Sequence, residues 1–474
     1  MPNTQAEGSA DGYGVGIPAV RTAGTGQSRG RWTKRRVRGK VPDRMSAPTQ
    51  PAASDNRTDA DVRIADVLIV GGGLVGLSLA VALGSAGLEV IVVDREPPAA
   101  AADDAFDGRG SAIAWGSTRV LAGIGVWPHV AGHAEAIREI RVSDGRSLLF
   151  LHYDHREAGI AVDGQPAPLG YIIENRFIRR ALYTTLAAVP GVRLLAPAEL
   201  LALNRKPGKV DAALADGTRI RAVLAIACDG RDSPLRRQAG IGTVGWRYPQ
   251  TGLVAAIVHE LPHNGVAHEL FLPAGPFAVL PLPDSADGEH RSSIVWTERA
   301  ELAPLMLALP AADFAAEIER RFGPTLGRIR VPGRRWSYPL GLIQADRYVA
   351  HRLALAGDAA HAIHPIAGQG LNLGLRDVAA LAECIVDAAR LGLDIGTGAA
   401  LERYERWRRL DNLMLAATTD GLNRLFSNDV APVRLARDVG LAAVNRILPL
   451  KGLFMRHAMG VLGDLPRLVR GEVL

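Results

Sequence analysis

Residues 65–96 read ADVLIVGGGLVGLSLAVALGSAGLEVIVVDRE, and this stretch decides the fold. A short apolar run is followed by a cluster of glycines, an apolar segment of helical length, and a second apolar run that ends at Asp94. That order describes a βαβ unit. Gly71, Gly73 and Gly76 form GxGxxG between strand and helix, where a tight turn, close backbone approach to a pyrophosphate and close helix packing each exclude a side chain. The helix that follows would face a phosphate with unpaired N–H groups and the positive end of its dipole. Asp94, 23 residues after Gly71, closes the second strand, where a carboxylate can accept hydrogen bonds from ribose hydroxyls. Strand, loop, helix, strand and acid in this order indicate dinucleotide binding, but they do not choose between FAD and NAD.

Two later stretches bear on that choice. LAIACDGRDSPLRRQAGI, from Leu224, is an apolar strand ending at Asp229 and Gly230, with Ser233 and Arg236 opening a helix. Taken alone it also fits a strand-to-helix turn capped by Asp or Ser. RLALAGDAAHAIHPIAGQGLNLGLRDVAAL, from Arg352, ends a strand at Gly357 and Asp358, and Pro365 then breaks the chain. Gly368, Gln369 and Gly370 open a long helix through Leu371, Asn372 and Asp377. A Gly-rich turn that delivers a helix N-terminus suits an anionic ligand edge, and Asp358 is placed for a ribitol hydroxyl.

With these residues in order, GxGxxG at Gly71, DGxxSxxR at Asp229 and GDAAHxxxPxxGQGxNxG at Gly357, the chain resembles the FAD-dependent aromatic hydroxylases of the p-hydroxybenzoate hydroxylase type. HPIAGQGLNLGLRD, and LFSND from Leu425 onward, look most like the ubiquinone-biosynthesis branch. The resemblance covers roughly residues 64–474. It implies an α/β fold: a discontinuous Rossmann-like FAD-binding domain (about 64–130, 172–242 and 345–400), an inserted β-sheet substrate domain (about 131–171 and 243–344) and C-terminal helices (401–474). It implies FAD contacts from Gly71, Gly73 and Gly76 to the pyrophosphate, from Asp94 to the adenosine ribose, and from Arg109 to the flavin phosphates. Asp229 would serve both FAD and the nicotinamide, and Asp358 the ribityl or phosphate end. Gly368, Gly370, Leu371 and Asn372 would lie beside the isoalloxazine. Asn175 and Arg179, on a helix with Ile178, Leu182 and Leu186 along one face, are weaker candidates set against ordinary helix-surface polarity.

The activity implied is hydroxylation of the aromatic ring of a polyprenylated phenol, with NAD(P)H as transient electron donor and dioxygen captured as a flavin hydroperoxide. One GxGxxG unit rather than two agrees with a nicotinamide that only visits. No residue is assigned as catalytic, and no metal is expected, since His361 and His364 lack a third ligand at metal spacing. Trp246, Phe271, Phe277, Trp296 and Tyr338, in the strand-like stretches between motifs, are open to either pocket or core. REIRVSDGRSLLFL carries an Asp-Gly hairpin signal. Alternatives are a related flavoprotein acting on another phenol, a flavin reductase of isoprenoid chains, or a non-enzymatic prenyl-lipid escort of similar fold.

Charge tempers the choice of partner. The net charge of +6 invites a nucleic-acid or membrane reading, yet residues 1–63 hold 11 Lys and Arg against six Asp and Glu. The other 411 residues are nearly balanced, at 44 against 43. The leader, with RGRWTKRR at its centre, reads as disordered, and a start at Met45 would remove most of it. No nucleic acid is expected as partner. Cys228 and Cys384 make no disulfide framework or zinc ribbon, which fits a reducing cytoplasm. The basic C-terminal end from Arg434 leaves two readings open, packing on the flavin domain or peripheral contact with the inner membrane face or a biosynthetic complex.

Overall fold

Which strands are buried on both faces determines how the first sheet is assembled. In the computed structural model, Val62–Val70 and Val90–Val93 lie parallel with Val67 beside Val90, joined by the helix Leu74–Ser85. Val67, Leu68, Ile69 and Val90 to Val92 are fully buried, which is why these runs show no polar alternation. Arg219–Ala227 pairs parallel on the other side of Val62–Val70, and Val192–Leu195 on the outer edge of Val90–Val93. Leu353–Leu355 joins parallel to the end of Arg219–Ala227, with Leu355 beside Ala227. The antiparallel pair Leu200–Lys206 and Lys209–Leu214 extends the same edge. Strands far apart in sequence therefore end together, and each of the three glycine and aspartate motifs follows one of these strand ends.

The structure describes residues 62–98, 109–145, 147, 150–427, 437, 440 and 443–474. The basic leader inferred from sequence lies outside them except for its last two residues, as does the end of LFSND. The described residues all belong to one unit, Arg57–Leu474.

A nine-stranded sheet is built around Thr243–His259, which has 17 residues and pairs with both His290–Arg299 and Trp336–Ala345. Gly275–Leu282, Val266–Leu272, Glu139–Asp144 and Phe150–Asp154 continue it, the last two as the antiparallel pair read from the Asp-Gly signal. One face is sealed. Leu253, Ile257, Phe277, Ile294 and Trp296 pack with Phe314, Ile318 and Phe322 of the helix Ala311–Phe322. Phe277 and Trp296 are fully buried there, so these two aromatics are core and line no pocket.

The opposite face turns toward a three-stranded sheet of Gly110–Ala114, Gly170–Glu174 and Ala134–Ile137. Ala267, Leu282 and Ile140 meet Ala112, Ile172 and Trp115 across that boundary. Arg291 adds an ion pair to Glu174 at 2.6 Å. The chain ends in the helices Gly398–Phe426, Leu448–Ala458 and Arg467–Arg470. Among the described residues no helix is long and apolar enough to cross a membrane.

Candidate functional site

Gly71 has φ +106°, a conformation L side chains rarely adopt, and a Cβ there would overlap the Cys228 carbonyl oxygen. A Cβ at Gly76 would overlap the carbonyl oxygen of Gly71 itself. These two glycines let strand and helix close on the loop. Gly73 differs: no atom lies within 4 Å of its Cβ position, so it borders open space. It also caps the helix Leu74–Ser85 without any side-chain hydrogen bond, and no acid stands in the first turn. The N–H groups at this end are left for an anion. Asp94 accepts the Gly72 N–H on one carboxylate oxygen and the Glu96 N–H, at 2.7 Å, on the other. It therefore fixes the loop first, and only its remaining lone pairs can reach a ribose hydroxyl.

A second uncapped helix start lies close by. Gly368 is left-handed at φ +61° and caps Gln369–Arg390, again with no side-chain bond and no acid in the first turn. Gly370 is exposed with no atom within 4 Å of its Cβ position, and Leu371 is half-buried. Cβ atoms at Gly357 and Gly374 would stand 3.2 and 2.5 Å from Val75, so their absence lets this helix pack on the phosphate-loop helix.

Asn372, 1% exposed, spends its side chain on the protein. Its Nδ2 donates to the Ala112 carbonyl at 2.8 Å and to that of Gly368 at 3.3 Å, and its Oδ1 accepts from the Ala114 N–H at 2.9 Å. It ties Gly110–Ala114 to the helix start, so only its backbone is left to face a flavin. Arg109, exposed, precedes that strand, and its carbonyl accepts the Asn175 N–H at 2.9 Å. The Asn175 side chain is taken by the Ser111 hydroxyl at 2.6 Å. The Tyr183 hydroxyl is raised above its ordinary range by burial and by the Asp94 charge, with Arg179 opposing.

Asp229 accepts the Leu235 N–H at 3.2 Å on one oxygen, while its other oxygen is buried without a partner. Such an orphan costs desolvation energy that a ligand hydroxyl would recover. Arg236, 5% exposed, joins the loops, donating to the Ala359 carbonyl at 2.7 Å and to that of Arg231 at 2.8 Å. Asp358 projects outward between buried Gly357 and Ala359. Two uncapped helix starts, open space at Gly73 and Gly370, and an orphaned Asp229 oxygen together fit FAD.

Asp377 received no role from the sequence and turns out to organise the site. It is 0% exposed and takes the Gly357 N–H at 3.1 Å, the His361 ring at 2.5 Å, Arg408 at 2.9 Å and Asn412 at 3.3 Å. Its visible signal was an acid two turns into a long helix, buried among Leu375, Val378 and Leu381, but the partners Arg408 and Asn412 lie far along the chain. His361 is thus a hydrogen-bond partner of Asp377. His364 is fully buried with both ring nitrogens unpartnered, and burial lowers its pKa to about 4. Glu139, His152 and Asp154 come close enough to share an ion, but Arg141 and Arg156 already occupy the two carboxylates.

Beside the start of Gln369–Arg390 lies a small, mostly apolar cleft of about 60 Å³. Ala112, Ile140, Tyr153 and Leu169 wall it, Gln369 and Asn372 form the edge at the helix start, and Met455 and Ala458 close it. Burial pushes the Tyr153 hydroxyl up to about 12, so it stays protonated. Phe271 stacks on Phe426 at 4.1 Å on the same sheet face, Tyr338 is half-buried there, and Trp246 lies under Arg424 at the rim.

Comparison with known proteins agrees with this geometry. Residues 64–410 match the FAD binding domain family. The chain is 53% identical over 433 residues to the ubiquinone hydroxylase UbiL of Rhodospirillum rubrum, covering 91% of this chain and 98% of that one. It is 35% identical over 398 residues to the 3-demethoxyubiquinol 3-hydroxylase of Escherichia coli, covering 84% and 98%. Among solved structures, p-nitrophenol 4-monooxygenase PnpA from Pseudomonas putida DLL-E4 has the same fold. Its TM-score is 0.69 at 20% identity, over 84% of this chain and 99% of that one.

Proposed function

The chain belongs to the FAD-dependent aromatic hydroxylases, in their ubiquinone-biosynthesis branch, and from that premise we propose that it hydroxylates the ring of a polyprenylated phenol with NAD(P)H and dioxygen. The observation that carries the substrate reading is the apolar cleft at the start of Gln369–Arg390, walled by Ile140, Leu169 and Met455. FAD, when bound and reduced by the nicotinamide, supplies the activation of dioxygen.

The chain's residues do the rest. The first turn after Gly73 holds the pyrophosphate, and the orphaned Asp229 oxygen accepts a cofactor hydroxyl. Backbone N–H groups from Gly368 to Leu371, at the positive end of their helix, stabilise negative charge on the ring beside them. Ile140, Leu169 and Met455 keep water from the reacting ring, and the protonated Tyr153 can donate to a ring oxygen. Purified protein should absorb near 450 nm, convert 2-geranylphenol to a hydroxylated product, and show by rate whether NADH or NADPH is preferred. A colourless protein, or a deletion strain with an unchanged quinone profile, overturns the reading.

The same reading puts the enzyme at the cytoplasmic face of the inner membrane, where a polyprenyl substrate resides. Leu410, Leu413 and Met414 are exposed at helical spacing on Gly398–Phe426, and the adjacent Leu453 and Phe454 are exposed on Leu448–Ala458, with Arg409 and Arg456 exposed among them. Apolar side chains bordered by cations suit an anionic bilayer surface. The double variant Met414→Asp, Phe454→Asp should cosediment with phosphatidylglycerol vesicles about tenfold less than the parent, given two apolar anchors lost and two like charges added. Turnover of detergent-dispersed substrate should not change.

A further inference from the structure

Val266–Leu272 is an interior strand of the nine-stranded sheet, held by Glu139–Asp144 on one side and Gly275–Leu282 on the other. Its fourth residue is an acid, Glu269, 8% exposed among apolar neighbours. Among the described residues its carboxyl has no hydrogen bond and no cation, although burying an unpaired carboxyl carries a penalty that Leu or Gln would reduce.

Its position in the register shows which face it occupies. Residues two apart on a strand share a face, about 7 Å from each other. Ala267, two residues before, pairs with Ile140 and clusters with Ala112, Ile140 and Tyr153, three walls of the cleft. Phe271, two residues after, clusters with Val142 and Ile366, and Ile366 lies in the turn that leads into Gly368. Glu269 itself pairs with Val142. It therefore stands between the cleft wall and the turn that begins the flavin-side helix, on the face turned away from the sealed core.

We propose that the Glu269 carboxyl seats the substrate by hydrogen bonding to the hydroxyl of its phenol ring. A protonated carboxyl donates through O–H and accepts through C=O, and a phenol hydroxyl does the same, so the two satisfy each other in a pair. Burial raises the Glu269 pKa to about 8, which keeps the neutral form dominant at pH 7. A site that matches a buried carboxyl to a hydroxyl should disfavour the same molecule without it, because the carboxyl would then stay unpaired.

This assignment rests on the hydroxylase reading, so the test separates binding from turnover. Equilibrium dialysis of FAD-loaded protein would compare 2-geranylphenol with geranylbenzene, which lacks the hydroxyl. The parent should prefer the phenol, and Glu269→Leu should weaken phenol binding at least tenfold while leaving geranylbenzene unchanged. Glu269→Gln, which keeps one donor and one acceptor, should stay within about threefold of the parent. A Leu variant that binds both probes like the parent, or loses both equally, overturns the proposal. So does a parent that does not distinguish the probes. A parent that binds the phenol but forms no hydroxylated product overturns the hydroxylase reading alone, and the same binding ratios still decide the role of Glu269.

Discussion

Gly76→Ala is expected to purify without flavin. The added Cβ would occupy the position of the Gly71 carbonyl oxygen, and Gly71 cannot retreat, because its own Cβ position is filled by the Cys228 carbonyl. The loop would have to move off the helix start, and with it the N–H groups proposed to hold the phosphates. Losing two charge-assisted hydrogen bonds costs roughly 3–6 kcal/mol, or about 10²–10⁴ in FAD affinity. Gly73→Ala separates ligand from fold. Its φ of −71° suits alanine, and no protein atom lies within 4 Å of the new Cβ. That variant should unfold at the same urea concentration as the flavin-free parent yet bind FAD at least tenfold more weakly. Flavin content by absorbance near 450 nm and urea unfolding followed by circular dichroism check both. A Gly76→Ala protein that is as yellow as the parent would show that the loop can relax without cost.

These glycines were legible in the sequence because their reasons are local: a turn, a strand end and a helix start within six residues fix who touches whom. The same holds for Asp229 and Gly368, each next to the element it terminates. Asp94 and Asn372 were legible as positions, but the protein partners of their side chains were not. Whether their side chains face a ligand or the chain depends on the Gly72 and Glu96 amides in one case and on Ala112 and Ala114 in the other. The last two lie some 260 residues from Asn372. Phe271 and Phe277 stood as equals in the sequence, yet Phe271 pairs with Pro276 and Phe277 with Leu270. Only the hairpin register sends them to opposite faces, one into the sealed core and one toward the cleft. Glu269 passed unnoticed for the same reason, since one acid in a strand means little until its face is known.

Asp377→Asn should cost about 3–5 kcal/mol at pH 7, the usual penalty for breaking a buried pair from one side. Arg408 and His361 are both buried against the carboxylate, and an amide nitrogen would confront donors where an oxygen accepted them. Arg408 would keep Asp411 at 2.6 Å, which limits the loss, whereas the His361 ring would lose the carboxylate oxygen it bonds. The Gly357 N–H would also lose its acceptor, so the turn carrying Asp358 should loosen and flavin affinity fall with stability. Acid titration isolates the charge. Burial alone would raise the Asp377 pKa, but His361 and Arg408 more than reverse this and hold it near 2. A folded-state pKa below the unfolded value of about 3.9 contributes stability that is fully present above pH 4 and is lost as pH falls through 2. That contribution is roughly 2–3 kcal/mol. Other carboxylates such as Asp154 titrate in both proteins, but the parent should lose more stability than the Asn variant between pH 4 and 2, so their urea midpoints draw together at acid pH. If the gap between them stays constant from pH 7 to pH 2, the carboxylate charge is not what holds the GDA turn and the C-terminal helix together.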